Sequence, residues 1–316
     1  MIGGLARGLD WLGGQGTRAV AVSLLLGMAL PPLAAFFRPV LPAAIFLLLV
    51  LALVRIDFVT LAERIRQWRM LAWALVWVMG IMPLAIALTL RLSGFADAYP
   101  GWALGIFIAT AAPPVMSVAA LAALMRLDYA LSVAMLVLSA LVTPLVAPLV
   151  GVLALPAALP LEASALAMRL GLLMAGALAV ALVIRSFVGL PAIERARSRI
   201  DGTNVVILFV FAVAAMDGVA FAFLERPGLA FGILGAVFAI AFIQIGLSML
   251  ALWHAERVQA LTIALGSGIR NMGVFIAVLG PAVPETTWLF FGIAQFPIYM
   301  LPLILKVAGD RFAAAR

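Results

Sequence analysis

The sequence predicts an all-α membrane protein with ten transmembrane helices, laid out as two inverted five-helix repeats in which helices four and nine are broken. Three observations predict it. First, 67% of the 316 residues are hydrophobic and only 10% are charged, with a mean hydropathy of +1.26. A soluble protein carries roughly 25% charged residues and could not hide so much apolar surface from water. Second, the apolar residues fall in continuous runs of about 20, the length a helix needs to cross the hydrocarbon, and not in the alternating pattern of a membrane barrel. Third, one run in each half is interrupted at a matching place, by Pro113-Pro114 and by Gly266-Ser267-Gly268.

The ten runs are 18–37, 39–56, 70–91, 102–125, 129–154, 164–187, 203–224, 228–252, 260–280 and 286–306; only Arg38-Pro39 separates the first two. With both termini cytoplasmic, 15 of the 20 basic residues fall at cytoplasmic ends, Arg18, Lys306, Arg311 and Arg316 among them. Arg38, Arg91, Arg169 and Arg226 fall at outer ends. This is the asymmetry of the positive-inside rule, and it suits a bacterial inner (cytoplasmic) membrane. It also accounts for the net charge of +7 without a nucleic-acid partner. Between the second and third runs, Asp57–Arg69 has apolar residues at helical spacing and a basic face, which reads as an interfacial cytoplasmic helix linking two spans or, alternatively, as a regulatory lipid or protein site.

Nothing points to an enzyme. There is no cysteine and a single histidine, His254, so no thiolate or multi-histidine metal site can form, and no cofactor is expected. HExxH, GxSxG and phosphate-loop patterns are absent, and of the acidic residues only Asp217 lies deep in a run, one short of a carboxylate dyad. The Gly-rich residues 1–18 carry Arg7, Asp10 and Arg18 with no clear cleavage site after the first run. The first span is therefore expected to be retained.

Ten spans divide at about residue 158 into halves 1–158 and 159–316. Five is odd, so the second half enters from the opposite side and any repeat is inverted. Tandem prolines remove two backbone donors and clash with the preceding turn, while glycines reach backbone angles that other residues avoid. Freed polar backbone is tolerated at membrane depth only when it is buried in protein or lines a wet cavity. Paired interruptions in corresponding spans therefore point to a transporter's midplane site.

At these breaks the sequence resembles the bile acid:sodium symporter superfamily. Span nine reads GSGIRNMG, where the family pattern is close to E-x-G-x-Q-N. Span four reads APPVMSVAALAALMRLDYALS, where the family has P-G-G-T-A-S-N followed by D-x-A-L-S, an ending kept here at Asp128–Ser132. The resemblance implies a panel of helices 1, 2, 6 and 7, a core of helices 3–5 and 8–10, and broken helices four and nine crossing near the membrane centre. The departures are informative. The family's Ser-Asn pair falls on Val118-Ala119, its Glu on Gly266 and its Gln on Arg270. Those family residues give oxygens to sodium, and a hard cation needs several. Of them only Ser132 and Asn271 survive as residual equivalents, so sodium coupling in the family manner is expected to be absent or weak.

Arg270 is a charge at mid-membrane, costly unless it is paired or hydrated. It reads as a tethered replacement for the lost cations that holds the two breaks together, as a bidentate fork for a carboxylate, or as half of a structural salt bridge. Asp217 is its expected partner. Asp217 reads as a proton carrier and gate, as a permanent ion pair, or as a residue near the outer surface, since Glu225 follows closely. Gln244 and Ser248 share a helix face and either line a cavity or bond to a neighbouring helix. Trp11, Trp68, Trp102, Trp253 and Trp288 are read as an aromatic belt.

The function expected is secondary transport of a small or amphipathic organic anion by alternating access. The substrate would sit near Pro113, Pro114, Ser117, Gly268, Arg270 and Asn271, with Asp217 and Arg270 gating, and protons remain open as a driving ion. The alternative is a channel, or a sensor that binds ligand without coupled transport.

Overall fold

The computed structural model describes residues 2–13, 16–56, 58–66 and 68–314. Among them the named elements are all helical. Among the described residues six helices are long and apolar enough to cross a membrane: Pro31–Val54, Trp68–Leu92, Tyr129–Ala154, Ala163–Val188, Arg197–Glu225 and Pro227–Ala251, with Pro100–Ala111 and Gly273–Ala282 as shorter apolar helices. The chain is an all-α membrane protein. It divides into two compact units, one of Met1–Ile56 with Gly171–Ala230, the other of Asp57–Leu170 with Phe231–Arg316.

The first unit begins with α1 (Ile2–Gly13), α2 (Gly16–Ala29), α3 (Pro31–Phe37) and α4 (Leu41–Val54). It is completed by most of α12 (Ala163–Val188), α13 (Leu190–Arg195), α14 (Arg197–Ala215) and α15 (Val219–Glu225). The turn between the first two apolar runs is not at Arg38-Pro39. Leu30 leaves the helical region at φ −124°, ψ 71° because a residue before proline disfavours it. Pro31 and Pro32 then open α3, where an absent N–H goes unmissed. A 3-10 turn at Arg38–Val40 carries the chain into α4, so Pro31–Val54 is one candidate span. Val50, Val54, Ala177, Ala181 and Ile193 form a buried core. Arg185 Nη1 donates to the carbonyls of Val54 and Ile56 at 2.9 and 2.7 Å, closing the end of α4, and Arg55 pairs with Asp201 at 2.6 Å. The side chains of Arg18, Lys306, Arg311 and Arg316 lie outside the described residues.

The second unit contains α5 (Phe58–Arg66), α6 (Trp68–Leu75), a π-helical turn at Val76–Ile81, α7 (Met82–Leu92), α8 (Phe95–Ala98), α9 (Pro100–Ala111), α10 (Ser117–Leu124) and α11 (Tyr129–Ala154). After the first turns of α12, it resumes with most of α16 (Pro227–Ala251), then α17 (Arg257–Gly268), α18 (Gly273–Leu279) and α19 (Glu285–Ala314). Phe107, Phe275, Phe290 and Phe291 are fully buried in it, and Phe107 of α9 meets Phe275 of α18 edge to face at 6.3 Å. Trp288 is 6% exposed and packs on Phe291. Its indole fills the unit's interior, whereas Trp11, Trp68 and Trp253 are largely exposed.

Asp128 is a junction in this unit. Its carboxylate caps α11 by accepting from the Leu131 N–H at 2.8 Å, the standard use of Asp at an N-cap. The same carboxylate pairs with Arg64 of α5 at 2.8 Å, and the Asp128 N–H donates to Thr262 Oγ1 of α17.

Candidate functional site

Both predicted interruptions are present, and they meet. Pro113 and Pro114 cannot donate, and Ala112 before them takes an extended conformation at φ −67°, ψ 152°. Helix α9 therefore stops at Ala111, and α10 starts only at Ser117. In the other half α17 stops at Gly268, Ile269 is extended at φ −120°, ψ 95°, and α18 starts at Gly273. The two extended stretches form an antiparallel bridge at Pro114 and Arg270. The Val115 N–H donates to the Ile269 carbonyl at 3.1 Å, and the Asn271 N–H donates to the Pro113 carbonyl at 2.8 Å. Gly268 is required by a close approach. A Cβ there would lie 2.6 Å from Ile245 Cγ1 and 2.9 Å from the Ala241 carbonyl, both on α16.

Breaks in regular pairing leave several carbonyl oxygens without helical donors, those of Val78, Ala109, Ala112 and Ser267 among them. Val78 lies in the π-helical turn, where the Met82 N–H is drawn to the Trp77 carbonyl. The next donor in a π pattern would come from Pro83, which has none. Ala109 would be served four residues on by Pro113, which also has none. Ala112 has left the helix. Ser267 would be served by Asn271, whose N–H is committed to Pro113.

Buried side chains supply the donors. Arg270, 2% exposed, donates through Nε to the Ser267 carbonyl at 2.7 Å, through Nη1 to Ala112 at 2.9 Å and through Nη2 to Val78 at 2.8 Å. Longer contacts reach Gln244 Oε1 at 3.4 Å and Met79 Sδ at 3.5 Å. Gln244 Nε2 donates to the Ala109 carbonyl at 3.3 Å. A hydroxyl chain extends the network, with Trp77 Nε1 donating to Ser248 Oγ at 3.0 Å, Ser248 to Ser267 Oγ at 2.9 Å, and Ser267 onward to the Ala264 carbonyl at 2.7 Å. Gln244 and Ser248 both bond between helices, and Gln244 also lines a cavity of about 20 Å³ beside Arg270, Gly268 and Met272. That volume is enough for one water molecule.

The expected Arg270–Asp217 pair is not formed. The guanidinium spends its donors on carbonyl oxygens of its own unit, while Asp217, in the first unit, pairs with Arg38 at 2.7 Å. Asp217 sits where span seven turns between α14 and α15, just before Gly218 at φ +76°, and its side chain is 17% exposed.

The structure gathers Pro113, Pro114, Gly268, Arg270 and Asn271 at the crossing. Ser117 opens α10 one turn further on and is exposed. Among the described residues the Asn271 amide, partly exposed, has no hydrogen-bond partner. Ser132 Oγ on α11 is buried with none either. Sequence reasoning missed Val78, Ala112 and Ala109. The available signal was the prolines at 83 and 113, each of which deletes a donor. Comparison with protein-family models and with curated proteins gives no match.

Proposed function

We propose that the chain is a secondary carrier of a small or amphipathic organic anion, working by alternating access and without sodium coupling of the kind practised by the family it resembles. The observation that carries this reading is the buried Arg270 guanidinium, whose hydrogen-bond partners are all uncharged, at the bridge between two interrupted helices. Carbonyl dipoles solvate the charge but do not cancel it, so the crossing favours an anion. Polar backbone of this kind at membrane depth is the hallmark of a transporter site. The positions where the resemblance would put sodium oxygens hold Val118 and Ala119, both buried apolar residues, and Gly266, which faces the Pro114 ring.

The same reading takes ten spans in two inverted halves, 1–158 and 159–316. It also takes helices 1, 2, 6 and 7 as a panel and helices 3–5 and 8–10 as a core. The division into units at Ile56, Leu170 and Ala230 supports that grouping. The excess of basic residues at one set of ends supports cytoplasmic termini in a bacterial inner membrane. Pro113, Pro114, Gly268 and Asn271 shape the substrate position, and the Asn271 amide, without a hydrogen-bond partner among the described residues, is the group offered to it.

Counterflow in proteoliposomes tests this. Vesicles preloaded with unlabelled organic anions should take up the labelled anion saturably, and equally in sodium and in choline buffers. Uptake that requires sodium overturns the uncoupled reading. Unsaturable current without counterflow replaces the carrier with a channel.

A further inference from the structure

The end of the second unit marked by Asp128 carries arginines that the crossing does not use. Arg64 is largely buried against Asp128. Arg66, Arg69 and Arg126 are exposed and have no ion-pair partner among the described residues. Glu63 is exposed on the same helix and offsets only part of this charge. Beside these arginines Ile65 and Trp68 are 42% and 64% exposed, and Trp68 begins the candidate span Trp68–Leu92. The patch therefore adjoins a segment apolar enough to enter a bilayer, with an indole at its border, where indoles favour the interface.

Arg126 adds an independent observation. Helix α10 ends with the Leu127 N–H on the Ala122 carbonyl at 2.7 Å and the Arg126 N–H on the Ala123 carbonyl at 3.2 Å. This pairing requires a left-handed residue in the position that Arg126 occupies, normally glycine. Arg126 holds φ +55°, alone among the described non-glycine residues. A side chain kept in a strained conformation that glycine would relieve suggests a use for that side chain. It lies two residues from Asp128, and so at the same end as α5.

We propose that Arg66, Arg69 and Arg126, with Ile65 and Trp68 as apolar anchors, form a docking surface for the headgroups of anionic phospholipid. Guanidinium groups bind phosphate oxygens as a fork, and a juxtamembrane basic cluster attracts an anionic leaflet. The Arg64–Asp128–Thr262 connection then ties that surface to α17, the helix that ends at the crossing.

The test uses the full chain in nanodiscs of phosphatidylcholine alone and of phosphatidylcholine with roughly a third phosphatidylglycerol. The anionic discs should raise the Tm, and added salt should shrink the gain because exposed charges are screened. Arg66→Gln with Arg69→Gln should lose most of the gain, and so should Arg126→Gly. In neutral discs Arg126→Gly should match or exceed the wild-type Tm, since glycine relieves the backbone; this separates lost lipid contact from a damaged fold. Equal Tm in both discs, or a full gain retained by Arg126→Gly, overturns the proposal. So does an equal gain in neutral discs from inorganic phosphate or polyglutamate, which would assign the surface to a soluble anion or an acidic protein.

Discussion

Arg270 Nη2 donates at 2.8 Å to the Val78 carbonyl, an oxygen that its own helix leaves without a donor because Met82 is engaged with Trp77 and Pro83 carries no hydrogen. The same guanidinium serves Ala112 and Ser267, at the ends of two further helical segments. One side chain thus satisfies three interruptions. Its planar fork suits this, because the donors diverge in fixed directions.

Arg270→Met should destabilise the protein strongly. It leaves three buried carbonyls without donors, at about 1–3 kcal/mol each. Arg270→Lys keeps the charge but presents it as a compact point that cannot reach three separated oxygens, and should recover only part of the loss. Thermal unfolding of the purified variants in one detergent measures both.

Asn271→Ala should act in the opposite way. The Asn271 amide has no partner among the described residues, so its removal should shift Tm by less than about 0.5 kcal/mol in stability terms while reducing counterflow. A stability loss matching that of Arg270→Met would make Asn271 a structural residue and remove it from the substrate position.

Gly268→Ala should impair both stability and transport. The new Cβ would meet the Ala241 carbonyl at 2.9 Å as well as Ile245, and backbone cannot rotate aside as a side chain can. Overpacking of this sort costs about 1–3 kcal/mol. Gly266→Ala is the control, because its Cβ would meet Pro114 at 3.7 Å, an ordinary contact.

Asp217 should couple to Arg38 and not to Arg270. A double-mutant cycle of Asp217→Asn with Arg38→Gln should give an interaction of up to about 1 kcal/mol, as expected for a partly exposed pair. The cycle of Asp217→Asn with Arg270→Lys should be additive. If Asp217→Asn changes transport and its pH dependence, and the second cycle shows coupling, the gate once expected from this pair returns.

The interruptions themselves were legible in the sequence because they are local chemistry. A proline pair and a Gly-Ser-Gly stretch break a helix wherever they stand, and α9, α10, α17 and α18 end close to them. The candidate spans 129–154, 164–187 and 228–252 were legible to within a residue or so for the same reason, being long apolar runs with clear ends. The partner of Arg270 was not legible. A charge in an apolar chain prompts a search for the opposite charge, and Asp217 was the deepest acid. The acceptors instead are backbone oxygens, which no residue type advertises and which become available only through the π-helical turn and the prolines. The Arg38–Asp217 pair joins residues 179 positions apart, a separation that pattern alone does not bridge.

Pro113 and Pro114 end α9 in every conformation, because neither can donate. The Ala109 carbonyl, whose donor is covalently missing at Pro113, cannot be handed back to its own helix by a change of shape, and Gln244 holds it at 3.3 Å. Prising Arg270 away would take from the buried Val78, Ala112 and Ser267 carbonyls the donors they now have. Whatever travels during a working cycle, the knot of α9, α17 and the turn before α7 should travel with it whole, leaving the bending to the segments around it.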